Sequence, residues 1–452
     1  MIPRGCHRRA VRTALAAIAL GLALTATPRA GAAQGGAWPT LSDAGIEYMS
    51  RGGFLQVSLS GQLDLEALHV GRDRWAGLVG GEGADSVPAN WRTACADCHT
   101  QEDVEPRGKG GQILAHRLRV FADVFLGDRV YALVEARSDR GHAPSRGSIR
   151  ARVEQAYVRV GNGAGSMGVQ AGRFASPFGA YALRHGTTVD PFLRPPLAYD
   201  YRTIMNRSHA PGGAAGLLTW QDWPELFRLP GVPPVWDVPY QWGAMAFGRL
   251  GPLDLRVAAM NSAPSSKPDA WGLSSDRFEH PSWVVGVRGK PSASLELGAS
   301  YNSGPWLEEI TAGTIPPVGG TVQTRWDFDQ EMASADINYA RGSTVLRGEV
   351  IVDRWEVPNI ASRLTEVGYG AEAQMDVTAG VSAAARVGYV DFRPLAAAGA
   401  SPVDWDHDVV RLEASLGYRL VRNAGVLLSG YWQDAGRGGT TVFSGLRMWW
   451  AF

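Results

Sequence analysis

From Leu55 the chain alternates between apolar and polar positions. Leu55, Val57, Leu59, Leu63, Leu65 and Ala67 share one face of an extended strand, and Gln56, Ser58, Ser60, Gln62, Asp64 and Glu66 share the other. Successive side chains of a strand point to opposite faces, so this period of two predicts a strand with one apolar and one wet side. The pattern returns with more charge towards the C-terminus. Arg347, Glu349 and Asp353 alternate with Leu346, Val350 and Val352; Glu366, Glu372, Gln374 and Asp376 alternate with Val367, Tyr369, Ala371, Ala373 and Met375; Arg411, Glu413 and Arg419 alternate with Leu412, Ala414, Leu416, Tyr418 and Leu420. These segments run roughly ten to fourteen residues, longer than ordinary globular strands and matched to a tilted crossing of a bilayer.

The links between segments alternate in length. Short ones fall at Leu126-Gly127-Asp128, Gly161 to Gly165, Leu250-Gly251-Pro252, Gly289-Lys290-Pro291, Ala340-Arg341-Gly342, Thr378-Ala379-Gly380 and Arg422-Asn423-Ala424. Long ones cover about 71–111, 140–149, 176–239, 263–281, 304–327, 356–363, 393–407 and 435–439. Short turns on one side and long loops on the other are the rhythm of a transmembrane antiparallel β-barrel of the outer membrane. Sixteen strands follow, from near Phe54 to Phe452, and an even count puts both termini on the periplasmic side. The apolar run Ala214 to Trp220 is assigned to the long third loop, because a seventeenth strand there would invert the order of turns downstream. The chain ends on Met448, Trp450 and Phe452 at alternate positions, the C-terminal pattern of bacterial outer-membrane barrels. The fold class is therefore all-β, and the expected location is the bacterial outer membrane.

Residues 1–33 carry Arg4, Arg8, Arg9 and Arg12, an apolar core from Ala14 to Leu24 and small residues at Ala30-Gly31-Ala32-Ala33. This reads as a secretory signal peptide, followed by a periplasmic N-terminal segment over 34–53 and the barrel over 54–452. The leader holds five arginines and no acid, so its removal turns a formal charge of zero into 39 basic against 44 acidic residues. A nucleic-acid partner is not suggested. No phosphate-cradling glycine loop, carboxylate pair or serine triad appears in the pattern of a known catalytic motif.

One motif carries chemistry. Cys95-Ala96-Asp97-Cys98-His99 is a C-x-x-C-H run inside the first long loop, and Cys95 and Cys98 are the only cysteines outside the leader. It reads as an attachment site for one covalent haem c, with thioether bonds to Cys95 and Cys98 and with His99 as the proximal ligand of the haem iron. Two other readings use the same residues: a Cys95–Cys98 disulfide stapling the loop, and a zinc site. The sixth axial position is open, with His69, His116, His142, His185, His209, Met167 and Met205 as candidates; strand parity turns His116 away from the lumen.

One C-x-x-C-H together with a sixteen-strand barrel resembles the fused monohaem cytochrome-porins that serve as outer-membrane iron oxidases. The resemblance carries over to Cys95, Cys98 and His99. It implies electron transfer across or at the outer membrane, with Fe(II) oxidation as one activity. It implies a periplasmic cytochrome or other electron carrier as partner; outer-membrane lipid and further copies of the chain are separate expected partners of such a barrel. In that family the haem motif precedes the barrel, whereas here the strand Leu55 to Ala67 comes first. Gly172-Arg173-Phe174-Ala175-Ser176-Pro177-Phe178-Gly179, leading into the loop 176–239, resembles strand-to-loop segments of phosphate-selective-type porins. The alternative function is a passive diffusion porin for small solutes with the cysteine pair as a disulfide.

Overall fold

The computed structural model describes residues 46–50, 52–72, 111–139, 150–186, 188–222, 231–268, 271–272, 278–310, 313–397, 399, 401–436 and 440–452. Sixteen strands hydrogen-bond to their chain neighbours in antiparallel order: β1 Leu55–Arg72, β2 Gly111–Leu126, β3 Val130–Asp139, β4 Arg150–Gly161, β5 Met167–Ala175, β6 Tyr240–Leu250, β7 Leu253–Met260 and β8 Ser282–Ser292 form the first half. The second half is β9 Leu295–Pro305, β10 Asp329–Arg341, β11 Thr344–Trp355, β12 Leu364–Thr378, β13 Val381–Phe392, β14 Val409–Val421, β15 Ala424–Asp434 and β16 Thr440–Ala451. The ring closes where β16 pairs with β1, from Thr441 opposite Arg72 to Ala451 opposite Gln62. Below that seam β1 continues, and a short strand, Ile46–Met49, pairs with its residues 56 to 59. Phe452 and Gly61 exchange two backbone hydrogen bonds of 2.7 and 2.9 Å.

Burial inverts the habit of a soluble protein. On β1, Leu59 and Leu65 are 41% and 50% exposed, while Asp64 and Glu66 across the pleat are 0% and 9% exposed. The same holds on the last strand, where Val442, Leu446, Met448 and Trp450 lie exposed and Arg447 is buried. An apolar belt facing out around a closed ring, with charge turned inward, is the surface of an outer-membrane barrel. The seven short turns share the end that holds Phe452, and the long loops share the other.

Two local departures have physical causes. The sequence puts a turn at Gly289-Lys290-Pro291, but β8 runs through it to Ser292 and the turn falls at Ala293-Ser294. The register slips there, Leu295 facing Ser292 while Leu297 faces Gly289. The bulge accommodates Pro291, which has no N–H to give a ladder. On β4 the register slips between Glu135 and Ala136 of its partner, which face Gln155 and Val153. Glu154 is the extra residue. It moves the inward face from even positions, Arg152 and Glu154, to odd ones, Tyr157 and Arg159, and leaves Val153, Val158 and Val160 exposed. Ala214–Thr219 is a short helix in the third loop, not a strand.

Replacing Leu65 by arginine puts a charge on the lipid face near mid-strand. Urea unfolding of the barrel in lipid bilayers should show a loss of about 2–4 kcal/mol, with no such loss for Leu65→Val.

Candidate functional site: a lumen closed by the third loop

The polar faces of the strands converge on the lumen and pair there by charge. Arg447 on β16 meets Glu66 on β1 at 2.8 Å; Arg117 reaches Asp139 at 3.3 Å and Glu66 at 3.8 Å; Arg119 faces Glu135 at 3.8 Å; Arg137 faces Glu154 at 3.7 Å. Across the barrel Arg386 grips Glu413 through two bonds of 3.0 and 2.8 Å, and Arg288 grips Asp336 through bonds of 2.9 and 3.0 Å. A guanidinium fork matches a carboxylate in this bidentate way, which holds both groups in a wall from which bulk water is largely displaced.

The described residues of the third loop, 176–186, 188–222 and 231–239, fold inward onto this wall. At the start of the loop, Gly179 N–H donates to Ser300 Oγ at 2.9 Å and Ala180 N–H donates to Glu349 Oε1 at 2.8 Å. Arg184 places Nη1 3.2 and 3.0 Å from the two oxygens of Glu372. Further on, Arg386 donates to the Arg194 carbonyl at 2.6 Å, Arg411 meets Asp200 at 2.8 Å and Tyr199 donates to Glu349 at 2.8 Å. Returning towards β6, Pro234 accepts from Gln330 Nε2 at 3.1 Å. Anchors on β9 to β14 thus hold the loop across the bore.

Apolar packing holds the loop against the wall. Phe178, Tyr181, Tyr199, Val235 and Val238 of the loop cluster with Leu133, Phe174, Met260, Val284, Met332 and Ile351 of the wall. Nearer the external mouth, Leu197, Tyr201, Ile204, Met205 and Val232 cluster with Trp306, Trp355, Phe392 and Trp405. Burying a large apolar side chain contributes about 1.5–3 kcal/mol, so the loop is fixed by its core as well as by its ion pairs. The wall is bare where the loop comes closest. A Cβ on Gly388 would sit 2.7 Å from Leu197 Cβ, one on Gly368 3.0 Å from Ala198 Cβ, and one on Gly445 2.6 Å from Leu193 Cδ1. All three face the lumen; a methyl at Gly388 would collide with Leu197, and at Gly368 and Gly445 the neighbouring side chains would have to give way.

The candidate haem residues stand apart from these contacts. Cys95, Cys98 and His99 lie outside the described residues, in the link between Arg72 and Gly111, whose strands open at the external end. His142 lies outside them too. His69 and Met167 are on outward faces, and His116, opposite Leu65, follows them. Met205 is buried in the outer core. His185 has both ring nitrogens engaged: Nδ1 lies 2.7 Å from the Ala182 carbonyl and Nε2 2.7 Å from the Tyr240 hydroxyl. The carbonyl requires an N–H at Nδ1, and with the ring kept neutral by its burial Nε2 accepts from the tyrosine. Burial, reinforced by the charge of Arg119, lowers its pKa to about 4. His209 is half-buried in the same loop, close to the Arg207–Glu308 ion pair, and its Nδ1 has no hydrogen-bond partner. The sequence reading marked Glu349, Glu372, Arg411 and Glu413 as lumen groups. It missed Ser300, Arg386 and the three glycines, whose only signal is a missing side chain at an inward position.

Comparison with solved structures places this architecture. The chain is similar to the anion-selective porin from Comamonas acidovorans, with a TM-score of 0.51 and 11% identity over 88% of this chain and 100% of that one. It is also similar to OmpF of Salmonella typhi, solved in complex with daunomycin, with a TM-score of 0.50 and 10% identity over 90% of this chain and 100% of that one. The fold is that of the outer-membrane porins. At these identities the likeness concerns the fold alone. No protein-family model matches the chain, and no curated protein matches it.

Two outcomes follow for this porin-like barrel. Gly388→Leu overfills the contact with Leu197, at a cost of about 1–3 kcal/mol if the loop stays docked. Single-channel recording should show a larger or more often open pore than wild type, and Gly388→Ala should show a smaller shift. The second outcome concerns pH. His185 is held neutral when docked and returns to about 6.5 when the loop swings free, so its share of docking stability is whole above that value and falls as pH drops towards 4. Asp190 and Asp237, raised by burial in the same loop, act in the opposite sense. The comparison is therefore between wild type and His185→Gln: the acid-induced part of opening between pH 6.5 and 4 should shrink in the variant.

Proposed function

We propose that the chain is a porin-type outer-membrane barrel, closed by its third loop, that carries one covalent haem c on its first external loop for electron transfer. The observation that carries this reading is the third loop packed across the lumen. Its described residues set Phe178, Tyr181 and Tyr199 inside the bore and tie to opposing strands, which narrows the path a wide diffusion channel needs. A narrowed barrel suits a scaffold that presents a group at the cell surface. The donor set supports the choice of group: two thiols separated by two residues and an adjacent imidazole, on an exported chain, match the thioether sites and one axial ligand of haem c.

In this reading Cys95 and Cys98 would hold the macrocycle by thioether bonds and His99 would bind its iron. The bound group supplies a one-electron carrier. What the rest of the chain contributes is position: strands ending at Arg72 and starting at Gly111 hold the loop at the external end. The apolar band of such a barrel is about 25 Å tall, so exchange takes place at the outer face, or with a periplasmic carrier whose own redox group shortens that distance.

A second reading, a narrow diffusion porin with a Cys95–Cys98 disulfide, is favoured by the likeness to porins and by the arginine-rich wall. The two separate by spectrum. Purified protein denatured in alkaline pyridine should give the absorbance of a c-type haem that survives acid–acetone extraction, and His99→Ala should change the native spectrum. No covalent haem in protein made by a host competent in haem c attachment rejects the electron-transfer reading and leaves the porin one.

A further inference from the structure

Beneath the plug, at the periplasmic mouth, one row of inward side chains mixes rings with arginines. The ladder fixes the order: Phe125 faces Tyr131, Tyr131 faces Arg159, Arg159 faces Gln170, and two strands on Phe247 faces Arg256. Each lies within a few residues of a short turn, so the row borders the inner opening. Its rings touch in sequence, Phe125 to Tyr131 at 4.9 Å and Tyr131 to Tyr157 at 6.0 Å between centroids. Arg159 lies over Phe247, its Cζ 4.9 Å from that centroid and 5.9 Å from that of Tyr157.

The two arginines lack the carboxylate partners that Arg117, Arg288 and Arg386 have elsewhere in the lumen. Among the described residues neither Arg159 nor Arg256 has a carboxylate at ion-pair distance. Arg159 gives Nε and Nη2 to Gln170 Oε1 at 3.0 and 2.7 Å, which leaves Nη1 unused, and Arg256 has no hydrogen-bonded partner. The acids in reach are taken. Asp336 and Glu296 bind Arg288, Asp254 binds Arg249, and Asp123 accepts from the Tyr131 hydroxyl at 2.6 Å. Phe125 is 38% exposed, and Tyr131, Phe247 and both arginines are half-exposed. Positive charge without a carboxylate at pairing distance, beside half-exposed rings, is complementary to one kind of small molecule, a planar ring bearing a carboxylate.

We propose that this row is a binding site for aromatic monocarboxylates reaching the barrel from the periplasm, with Arg159 and Arg256 taking the carboxylate and Phe247, Tyr131 and Phe125 taking the ring. The site does not depend on the haem and stands or falls separately from it. The test is calorimetric titration of the folded barrel in detergent with benzoate, cyclohexanecarboxylate and benzyl alcohol. Benzoate should bind most tightly, cyclohexanecarboxylate more weakly for want of a ring face, and benzyl alcohol not measurably. Arg256→Gln and Phe247→Leu should each weaken benzoate about tenfold or more, while Arg419→Gln, on the inward face of β14 near a short turn, should leave it unchanged. Heat-modified gel mobility verifies that each variant is folded. Absence of benzoate binding to the wild type, equal binding of all three probes, or losses no greater in Arg256→Gln and Phe247→Leu than in Arg419→Gln would overturn the proposal.

Discussion

An unpaired backbone N–H or C=O in hydrocarbon has no water to turn to, and the whole architecture answers that constraint. Fifteen strand pairings form between chain neighbours; the sixteenth must bring residues 62–72 to residues 441–451, almost the full length of the chain apart. Once that seam is made the ring has no edge, and the two faces of every strand acquire fixed meanings. Outside is lipid, so Leu59, Leu65 and Trp450 are exposed. Inside is the only place left for charge, so Arg447 and Glu66 meet across the seam itself. The short strand Ile46–Met49 and the final residue Phe452 occupy the stretch of β1 that β16 does not reach.

Enclosing so much charge in a narrow bore has its own consequence. A buried guanidinium without a partner is costly, and a buried pair is tolerable only when geometry is good and remaining donors are used. The wall supplies partners strand to strand, and the third loop supplies others: Arg184 shares Glu372 with Arg347, and Arg411 divides itself between Asp200 and Gln433. Asp200, pressed upward by burial, is held below the usual carboxylate range by Arg194 and Arg411. The loop is therefore part of the charge balance of the barrel, and its aromatic residues fill the space between the paired groups.

Much of the fold could be read from the sequence because the period of two is enforced along every strand by two opposed solvents. The strict alternation of Leu412 to Leu420 with Arg411, Glu413 and Arg419 left one assignment open, and the links 140–149, 176–239 and 356–363 fall where composition places them. What escaped was local or distant. The Pro291 turn was misplaced because a bulge can hold a proline inside a strand. The slip at Glu154 was announced by two adjacent polar residues, Glu154 and Gln155, that break the alternation. The inward path of 176–239 had no local signal, since Leu197 next to Gly388 is a contact between positions 191 residues apart. The C-x-x-C-H reading rests on spacing alone, and Cys95, Cys98 and His99 lie outside the described residues.

The bare positions at Gly368, Gly388 and Gly445 mean that the shape of the plug is recorded twice, once in the loop and once in the wall. Loops of outer-membrane barrels are commonly treated as interchangeable attachments to a constant frame. Here the frame has a seat cut for one occupant. Grafting residues 176–239 onto another sixteen-strand barrel would transfer the plug without the recess that receives it, whereas β12, β13 and β16 together with the loop form one inheritable unit, discontinuous along the chain and continuous in space.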